Sequence, residues 1–274
     1  MHSSVPRPLA SEFKLFVLGA LAQQIASGEV SWSQELTVEA ASKSFGNAPG
    51  SGSLQYSPAG TKVTVQATAT KMISISDNTA ADMLINLVGR SAVEKQVRKW
   101  SAHPSDDIPF LTTREMLLLH YVDYPNLANR FLSLNPDART AFLSSSVDGL
   151  SFSEVHTTGQ PRDIDTLEWF ASPEDICRAF VGLRSLSEQP GLSPISSIFS
   201  VNPSNPELNR AQWPTIWYKG GSEPGVLTLG YLATNSKSQT FAVSVMLSNP
   251  EAALSTDATF DLVSVVNAAF GLAS

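Results

Sequence analysis

The residues from 15 to 22 carry no polar side chain, so they predict a helix that is buried on all sides. We expect this helix to run over residues 11–26, with Gly28 as its C-terminal stop. A helix of this kind occupies the centre of a domain, and the rest of the chain is expected to pack around it.

Further helices are predicted wherever apolar residues recur at intervals of three and four. A helix is expected to open near residue 112, where Thr112 and Glu115 make a capping box. Another begins at Ser172, with a proline and two acidic residues in its first turn. A loop is expected where glycine and proline are frequent, over residues 47–61. The remaining predicted helices cover residues 63–75, 79–88 and 136–143, and the helix from Ser172 extends to about residue 186.

The pattern changes after Pro206 to short runs of β-branched and aromatic residues separated by turns. Strands are predicted over 215–219, 226–234 and 240–248, with Gly220, Gly221, Pro224 and Gly225 joining the first two. A closing helix is predicted over 256–270. The fold class is therefore α+β, an antiparallel sheet flanked by helices plus an all-helical lobe. We expect one domain over 1–274, with the helical lobe at about 40–205 and the sheet lobe at about 1–39 and 206–274.

Composition narrows the possible partners. The 274 residues are 42% hydrophobic and 16% charged, as in ordinary globular proteins, and the net charge is −7. Because phosphate binding needs a concentrated basic surface, we expect no nucleic-acid partner. No run approaches the ~18 apolar residues of a membrane span, and no export signal is evident, so we expect no membrane partner and a cytoplasmic location. The single cysteine, Cys177, is expected to be a buried small hydrophobe.

Ser11 and Lys14 lie three residues apart at the head of the first helix and therefore share a face. An amine in an apolar setting is costly to keep charged, so Lys14 is a candidate base for the Ser11 hydroxyl. The alternative is structural: Ser11 caps the helix while Lys14 extends to solvent.

Two further motifs follow in the chain, Ser76-Asp77-Asn78 between two predicted helices and Lys219-Gly220-Gly221 at the end of a predicted strand. Alone, they are ordinary as a helix cap and as a glycine turn. In the order S-x-x-K, S-D-N and K-[TSG]-G, however, the chain resembles serine β-lactamases and penicillin-binding proteins. The flanks Gly50-Ser51-Gly52 and 72–80 resemble class A β-lactamases. Segments 109–115, 169–172 and 218–225 resemble the branch with the esterase-like protein of the clavulanic acid biosynthesis cluster.

The resemblance implies four catalytic residues and no cofactor or metal. Ser11 would attack an acyl carbon, and Lys14, neutral because it is buried beside another cation, would take its proton. Ser76 would relay a proton to the leaving group. Lys219 would keep Lys14 deprotonated and favour anionic groups.

The resemblance also implies how substrate is held. Asn78 would hydrogen-bond the acyl side chain, and the backbone N–H groups of Ser11 and Ser222 would form the oxyanion hole. Gly220 and Gly221 would shape the backbone of that hole. Small-molecule esters or β-lactams are the expected partners.

Two departures from the class A pattern bear on substrate and turnover. Gly220 stands where these enzymes usually carry a hydroxyl residue, and Glu223 adds a negative charge nearby, so binding of an anionic substrate should weaken by about 1–3 kcal/mol. The E-P-x-L-N pattern that supplies the deacylating glutamate is absent. Glu154 and Glu168 are the glutamates in the corresponding loop, and neither is assigned to catalysis because such residues are usually solvated.

The chain places ten residues before Ser11, where the family has a helix and two strands. The sheet is therefore expected to have three strands and an exposed edge. A homodimer through that edge, a partner strand and a shortened chain are the three explanations we consider.

The leading hypothesis is a serine acyl hydrolase acting on carboxylic esters, with weak or promiscuous β-lactam hydrolysis. The alternatives are a true β-lactamase, a penicillin-binding sensor that acylates without turnover, and a degenerate homologue. A Ser-His-Asp hydrolase using His156 with Asp163 or Asp165 is a further alternative, although no G-x-S-x-G elbow is present.

Overall fold

A computed structural model describes residues 2–44, 52–152, 159–201 and 208–273 of the chain. Its fold is α+β, as predicted, with helices on both faces of one antiparallel sheet. The helices are α1 Lys14–Ser27, α2 Val65–Ser74, α3 Asn78–Val88, α4 Arg90–Trp100, α5 Thr113–Tyr121, α6 Asn126–Leu132, α7 Pro136–Phe142, α8 Pro173–Ser187, α9 Pro194–Ser200 and α10 Thr256–Leu272. The strands are β1 Arg7–Pro8, β2 Glu35–Thr37, β3 Lys62–Thr64, β4 Phe170–Ala171, β5 Thr215–Glu223, β6 Val226–Thr234 and β7 Thr240–Ser248.

The predicted central helix begins as a tight 3-10 turn over Ala10–Phe13, which continues into α1. The first nine residues of α1 are all buried, and the helix packs against α3, α4 and α8. The helix ends at Gly28, whose φ of 80° is the left-handed conformation typical of a helix stop. Ser11 therefore lies in the 3-10 turn, and its side chain does not cap the helix.

The principal sheet has the order β5-β6-β7, so within the described residues each outer strand has one neighbour. The first strand is longer than predicted, because β5 continues through both glycines to Glu223 and only Pro224 and Gly225 remain in the turn. Glycine is needed at position 221 for close approach: a Cβ there would lie 2.2 Å from the Leu9 carbonyl oxygen. The sequence predicts a turn at these two glycines because adjacent glycines are more common in turns than within strands.

Helices cover both faces of this sheet. The inner face packs against α8, and the 3-10 turn before α1 packs on β5 and β6. The outer face carries α10, where Val266 and Phe270 are buried against Tyr231. The sheet therefore lies between α10 on one face and α8 with the 3-10 turn on the other. The 3-10 turn contacts β5.

Two short antiparallel ribbons were not predicted from the sequence, β1 with β4 and β2 with β3. The first one matters for the site, since the hydrogen bond from Leu9 N to the Trp169 carbonyl, 2.9 Å long, extends it to the 3-10 turn. The chain immediately before Ser11 is thereby fixed to the segment that precedes α8.

The helix caps predicted from the sequence are present at α5 and α8, each with a complete capping box. The helices that the pattern missed are α4, α6 and α9. In α4 most positions are polar, and the buried stripe is narrow, consisting of Val93, Gln96, Val97 and Trp100. Within the described ranges, none of the helices has the length and apolar character needed to cross a bilayer.

Candidate active site

The three sequence motifs meet at one cleft, although they are remote along the chain. Its cavity measures about 290 Å³ and lies between the 3-10 turn, the turn joining α2 to α3, and β5. We call it the Ser11 cleft. Of the eight predicted site residues, Lys14 is buried beneath the cleft and the other seven line it, namely Ser11, Ser76, Asn78, Lys219, Gly220, Gly221 and Ser222.

The turn that carries Ser76 is held by its neighbour Asp77. The Asp77 carboxylate caps α3 by accepting from Ala80 N at 2.9 Å, and it also accepts from Ser53 N at 2.6 Å and Leu54 N at 2.9 Å. Ser76 itself has a φ of 57°, in the left-handed region that non-glycine residues rarely adopt. The cap therefore holds Ser76 in a conformation that directs its hydroxyl to the cleft.

Lys14 does not extend to solvent; none of its surface is exposed. Its Nζ lies 2.8 Å from Ser11 Oγ, 3.0 Å from Ser76 Oγ, 2.7 Å from the Ser76 carbonyl oxygen and 2.6 Å from Asn78 Oδ1. Burial, followed by the charge of Lys219, lowers the pKa of the Lys14 amine well below its usual range. The amine is therefore favoured in its neutral form.

The partners of Lys14 determine where its lone pair points. A neutral amine has two N–H donors and one lone pair. The Ser76 carbonyl and Asn78 Oδ1 are acceptors only, so together they take both N–H groups. The lone pair is then left to accept a hydrogen bond from a hydroxyl, and the Ser11 hydroxyl is at 2.8 Å. This is the geometry in which an amine can remove the proton of a serine.

Lys219 reaches the same cleft from β5. Its Nζ donates to Ser76 Oγ at 3.0 Å and makes a very short contact with the Gly220 carbonyl oxygen. Burial lowers the pKa of Lys219 to about 8, against the raising effect of the Glu12 carboxylate. Ser76 Oγ thus lies between two amines, one strongly favoured as neutral and one still protonated at neutral pH.

The backbone of β5 closes the cleft opposite Ser11. A Cβ on Gly221 would lie 2.7 Å from Ser11 N, so the strand and the 3-10 turn are in direct contact there. Ser222 follows and is exposed at the rim. The N–H groups expected to form an oxyanion hole therefore belong to two segments packed against each other.

Two expectations about acidic residues need correction. Glu168 is buried rather than solvated. Glu223 does not line the Ser11 cleft, and its side chain is within hydrogen-bonding reach of Glu168. Burial raises the pKa of Glu223 to about 7 and that of Glu168 well above its usual range. Glu223 therefore does not simply add a negative charge beside the site.

The Ser-His-Asp alternative gains no support from the described part of the chain. His156, like Glu154, lies outside the described residues, while Asp163 and Asp165 do not line the Ser11 cleft. Among the described ranges there is also no group of three His, Cys, Asp or Glu side chains that could hold a metal ion.

Sequence reasoning missed two residues near the site, Glu12 and Tyr218. Glu12 is fully buried next to Ser11, and Tyr218 lines the Ser11 cleft from β5. The available signal for Glu12 was a carboxyl group between Ser11 and Lys14, at the head of a helix that is expected to be buried. For Tyr218 there was none, because an aromatic residue in a strand usually packs in the core.

Comparison with known proteins places the fold among the β-lactamases and penicillin-binding proteins. Residues 1–135, close to half of the chain, match the model of the β-lactamase enzyme family. The structure of a β-lactamase from Sphaerobacter thermophilus DSM 20745 superposes with a TM-score of 0.62 at 19% identity, covering 96% of this chain and 82% of that one. No curated protein sequence matches significantly.

A second similar structure is that of PBP-A, with a TM-score of 0.65 at 20% identity, over 98% of this chain and 83% of the other. A mutant of PBP-A solved as an acyl-enzyme complex with penicillin G gives the same TM-score and identity, over 99% and 84% of the two chains. These identities show a shared fold, and the family model adds the sequence relationship. The family match over residues 1–135 and the shared fold support assignment of the chain to the superfamily of serine β-lactamases and penicillin-binding proteins.

Proposed function

We propose that this protein is a serine acyl hydrolase that forms an acyl-enzyme on Ser11, acts on carboxylic esters and hydrolyses β-lactams weakly. The observation that carries the proposal is the fully buried Lys14 amine with its Nζ 2.8 Å from Ser11 Oγ, in a setting where burial lowers the pKa of the amine well below its usual range. The match to the β-lactamase enzyme family supports the reaction class. The absence of a carboxyl group among the described residues that line the Ser11 cleft supports the preference for esters.

In the acylation step, Ser11 Oγ bonds to the carbonyl carbon as its proton passes to the Lys14 lone pair. The carbonyl electron pair moves onto oxygen, and the N–H groups of Ser11 and Ser222 donate to it. When this intermediate collapses, the alkoxide leaves with the proton of Ser76 Oγ. Lys14 Nζ, 3.0 Å from that oxygen, returns a proton to Ser76 and is neutral again.

Lys219 would assist by charge. Its ammonium donates to Ser76 Oγ at 3.0 Å and stabilises that oxygen while the proton is being handed on. A second cation beside Lys14 also disfavours protonation of the Lys14 amine, because like charges repel in a buried site. Asn78 Oδ1 fixes the Lys14 amine, and the Asn78 amide can still donate to an acyl substituent.

Deacylation distinguishes esters from β-lactams. The described residues that line the Ser11 cleft include no carboxyl group to activate water. After an ester reacts, its alcohol departs, and water can occupy the vacated place beside Ser76 and Lys14. In a β-lactam the leaving nitrogen stays attached to the acyl group and blocks that place. An ester-derived acyl group should therefore be released faster than a penicilloyl group.

A true β-lactamase is the second candidate, favoured by the family model and by the penicillin acyl-enzyme known for a mutant of PBP-A. The discriminating experiment compares turnover of nitrocefin and p-nitrophenyl acetate and locates the acyl adduct by mass spectrometry, with Ser11→Ala as control. We expect labelling at Ser11 and faster turnover of the ester. A large preference for nitrocefin would establish the β-lactamase, and a stoichiometric adduct without turnover would indicate a penicillin-binding sensor. Labelling at another residue would refute all three.

A further inference from the structure

A carboxyl group lies beneath the Ser11 cleft without contributing to its lining. Glu12 follows Ser11 in the 3-10 turn, but its fully buried side chain points to the sheet. A Cβ on Gly230 would lie 2.2 Å from Glu12 Oε1, so the carboxyl group occupies the space left by that glycine. Gly230 is the cross-strand partner of Lys219. Glu12 is thereby placed on the sheet at the level of Lys219.

The polar environment of the Glu12 carboxyl group is sparse. Both of its oxygens are shielded from solvent, and neither accepts a well-formed hydrogen bond within the described residues. The neighbouring Thr228 hydroxyl donates to the Leu9 carbonyl at 3.1 Å. Burial raises the pKa of the Glu12 carboxyl group, and the Thr228 hydroxyl and then the Lys219 cation oppose that effect. Lys219 is therefore the cation that favours the charged form of Glu12.

Glu12 also faces Tyr218 on β5, Tyr231 on β6 and Cys177 on α8, and its carboxylate adds to the effect of burial in raising the pKa of each. Burial raises the pKa of Tyr218 to about 12, that of Cys177 to about 11 and that of Tyr231 further still, so all three stay neutral over the working range. Burial also raises the pKa of Glu12 to about 8, which matches that of Lys219. Glu12 and Lys219 therefore change charge over the same range of pH.

We propose that Glu12 is a positioning residue whose carboxylate is the buried counter-charge that keeps Lys219 protonated as the pH rises. This inference rests on the proposed acylation of Ser11. Without the carboxylate, Lys219 would lose its proton at a lower pH. The Ser76 hydroxyl would then lose its cationic donor, and Lys14 would no longer face a second positive charge.

The test is the pH profile of Glu12→Gln, which keeps the size of the side chain and removes its charge. The measured quantity is kcat/KM for p-nitrophenyl acetate, corrected for spontaneous hydrolysis, with the rate of Ser11 labelling as a second readout. We expect the alkaline limb to move to lower pH by about one unit or more. Glu12→Asp, which retains the charge, should restore the limb in part. A lower rate with an unmoved alkaline limb would show a purely structural role and would overturn the proposal.

A second measurement does not depend on the folding of a Glu12 variant or on activity. Coupling is reciprocal, so removing the cation in Lys219→Met should raise the pKa of the Glu12 carboxyl group. This shift can be followed by NMR of carboxyl-labelled glutamate, with Lys62→Met as the control. An unchanged set of glutamate titrations would overturn the coupling. Failure of the wild-type protein to label at Ser11 would instead refute the proposed function and leave the coupling measurable.

Discussion

The strand β5 contributes one residue to each of two buried pairs, a pair of amines and a pair of carboxyl groups. The two pairs differ in the chemistry that their neutral forms allow. Near the middle of the strand, Lys219 approaches Lys14, and at its end Glu223 approaches Glu168. Burial favours loss of charge in all four groups, and the like neighbour adds to this effect for Lys14 and for Glu168. For amines this means giving up a proton, and for carboxyl groups it means keeping one.

The difference lies in what surrounds each pair. Lys14 Nζ has two pure acceptors and the Ser11 hydroxyl within 2.8 Å, so its lone pair meets a reactive group. In the carboxyl pair, Glu168 Oε1 and Glu223 Oε1 are shielded and lack a well-formed hydrogen bond to other groups. A shared proton is the natural partner for those two oxygens. A buried group that loses its charge becomes a useful base only if it has a free lone pair and a substrate-facing hydroxyl within hydrogen-bonding distance.

Removal of the Lys14 amine should have the largest effect, because it abolishes the base of the amine pair. We expect Lys14→Met to slow acylation of Ser11 by about 10²–10⁴-fold, the usual contribution of a positioned general base. The rate can be measured by mass spectrometry after mixing with p-nitrophenyl acetate. Lys62→Met is the matched control, since Lys62 is exposed on β3, and it should keep the wild-type rate. A loss of only a few-fold in Lys14→Met would mean that another group accepts the proton.

Gly221→Ala tests whether the amine pair depends on contact between β5 and the 3-10 turn. The added Cβ would lie 2.2 Å from the Leu9 carbonyl oxygen, 2.7 Å from Ser11 N and 3.0 Å from Glu12 N, so backbone must move. We expect the free energy of unfolding to fall by about 1–3 kcal/mol. Acylation should slow by up to about 100-fold because Ser11 is displaced.

The control for this change is Gly149→Ala, where an added Cβ meets nothing within 4 Å. Urea denaturation and the labelling rate should both stay close to the wild type. If Gly221→Ala loses stability but labels Ser11 at the normal rate, the strand does not position the nucleophile.

Glu223→Gln tests the carboxyl pair through the dependence of stability on pH. Burial raises the pKa of Glu223 from 4.5 to about 7, so the folded state holds more protons than the unfolded state between these values. The free energy of unfolding should therefore fall as the pH rises through this window. The amide cannot ionise, and it can donate to Glu168.

We expect Glu223→Gln to raise the free energy of unfolding at pH 8 by about 1–3 kcal/mol and to change it little at pH 4. Urea denaturation at the two pH values measures both. Glu188→Gln, an exposed change on the surface after α8, serves as the control and should show no such pH-dependent gain. Equal effects at both pH values would mean that the two carboxyl groups do not share a proton.

The comparison also shows what the sequence could and could not predict. The amine pair was predictable, because Lys14 belongs to a motif with Ser11 and its apolar surroundings are local in sequence. The proximity of Lys219 came from family resemblance. The carboxyl pair joins residue 168, in the segment before α8, to the end of β5, and no local pattern connects them. Glu168 was read as solvated because a glutamate in a loop usually is.

The predicted end of β5 at residue 219 was wrong for the same reason, because the contacts that decide it are not local in sequence. Gly220 and Gly221 predict a turn from their local preference, yet both lie within the strand because the Leu9 carbonyl and the Tyr218 hydroxyl need the space of a side chain. Only tertiary contacts reveal that need. The helices α1, α3, α5 and α8 were predictable, since their caps and apolar periodicity agree.

The smallest predicted effect is a coupling between Tyr218 and Gly220 at the amine end of β5. A Cβ on Gly220 would lie 2.3 Å from Tyr218 Oη and 2.8 Å from the Thr228 carbonyl oxygen. Gly220→Ala should therefore lower the free energy of unfolding by about 1–2 kcal/mol. Tyr218→Phe removes one of the two obstructing oxygens, so the same alanine should cost about 0.5–1 kcal/mol less in that background.

A double-mutant cycle by urea denaturation measures this coupling, with Gly149→Ala in both backgrounds as the control, which should be additive. Tyr218→Phe should remove only part of the cost of Gly220→Ala to the free energy of unfolding, because the Thr228 carbonyl belongs to the β6 backbone and stays in place. Additive costs for Gly220→Ala and Tyr218→Phe would show that the backbone alone excludes a side chain at position 220. In that case the phenol would not explain why this site carries glycine where related enzymes usually carry a hydroxyl residue.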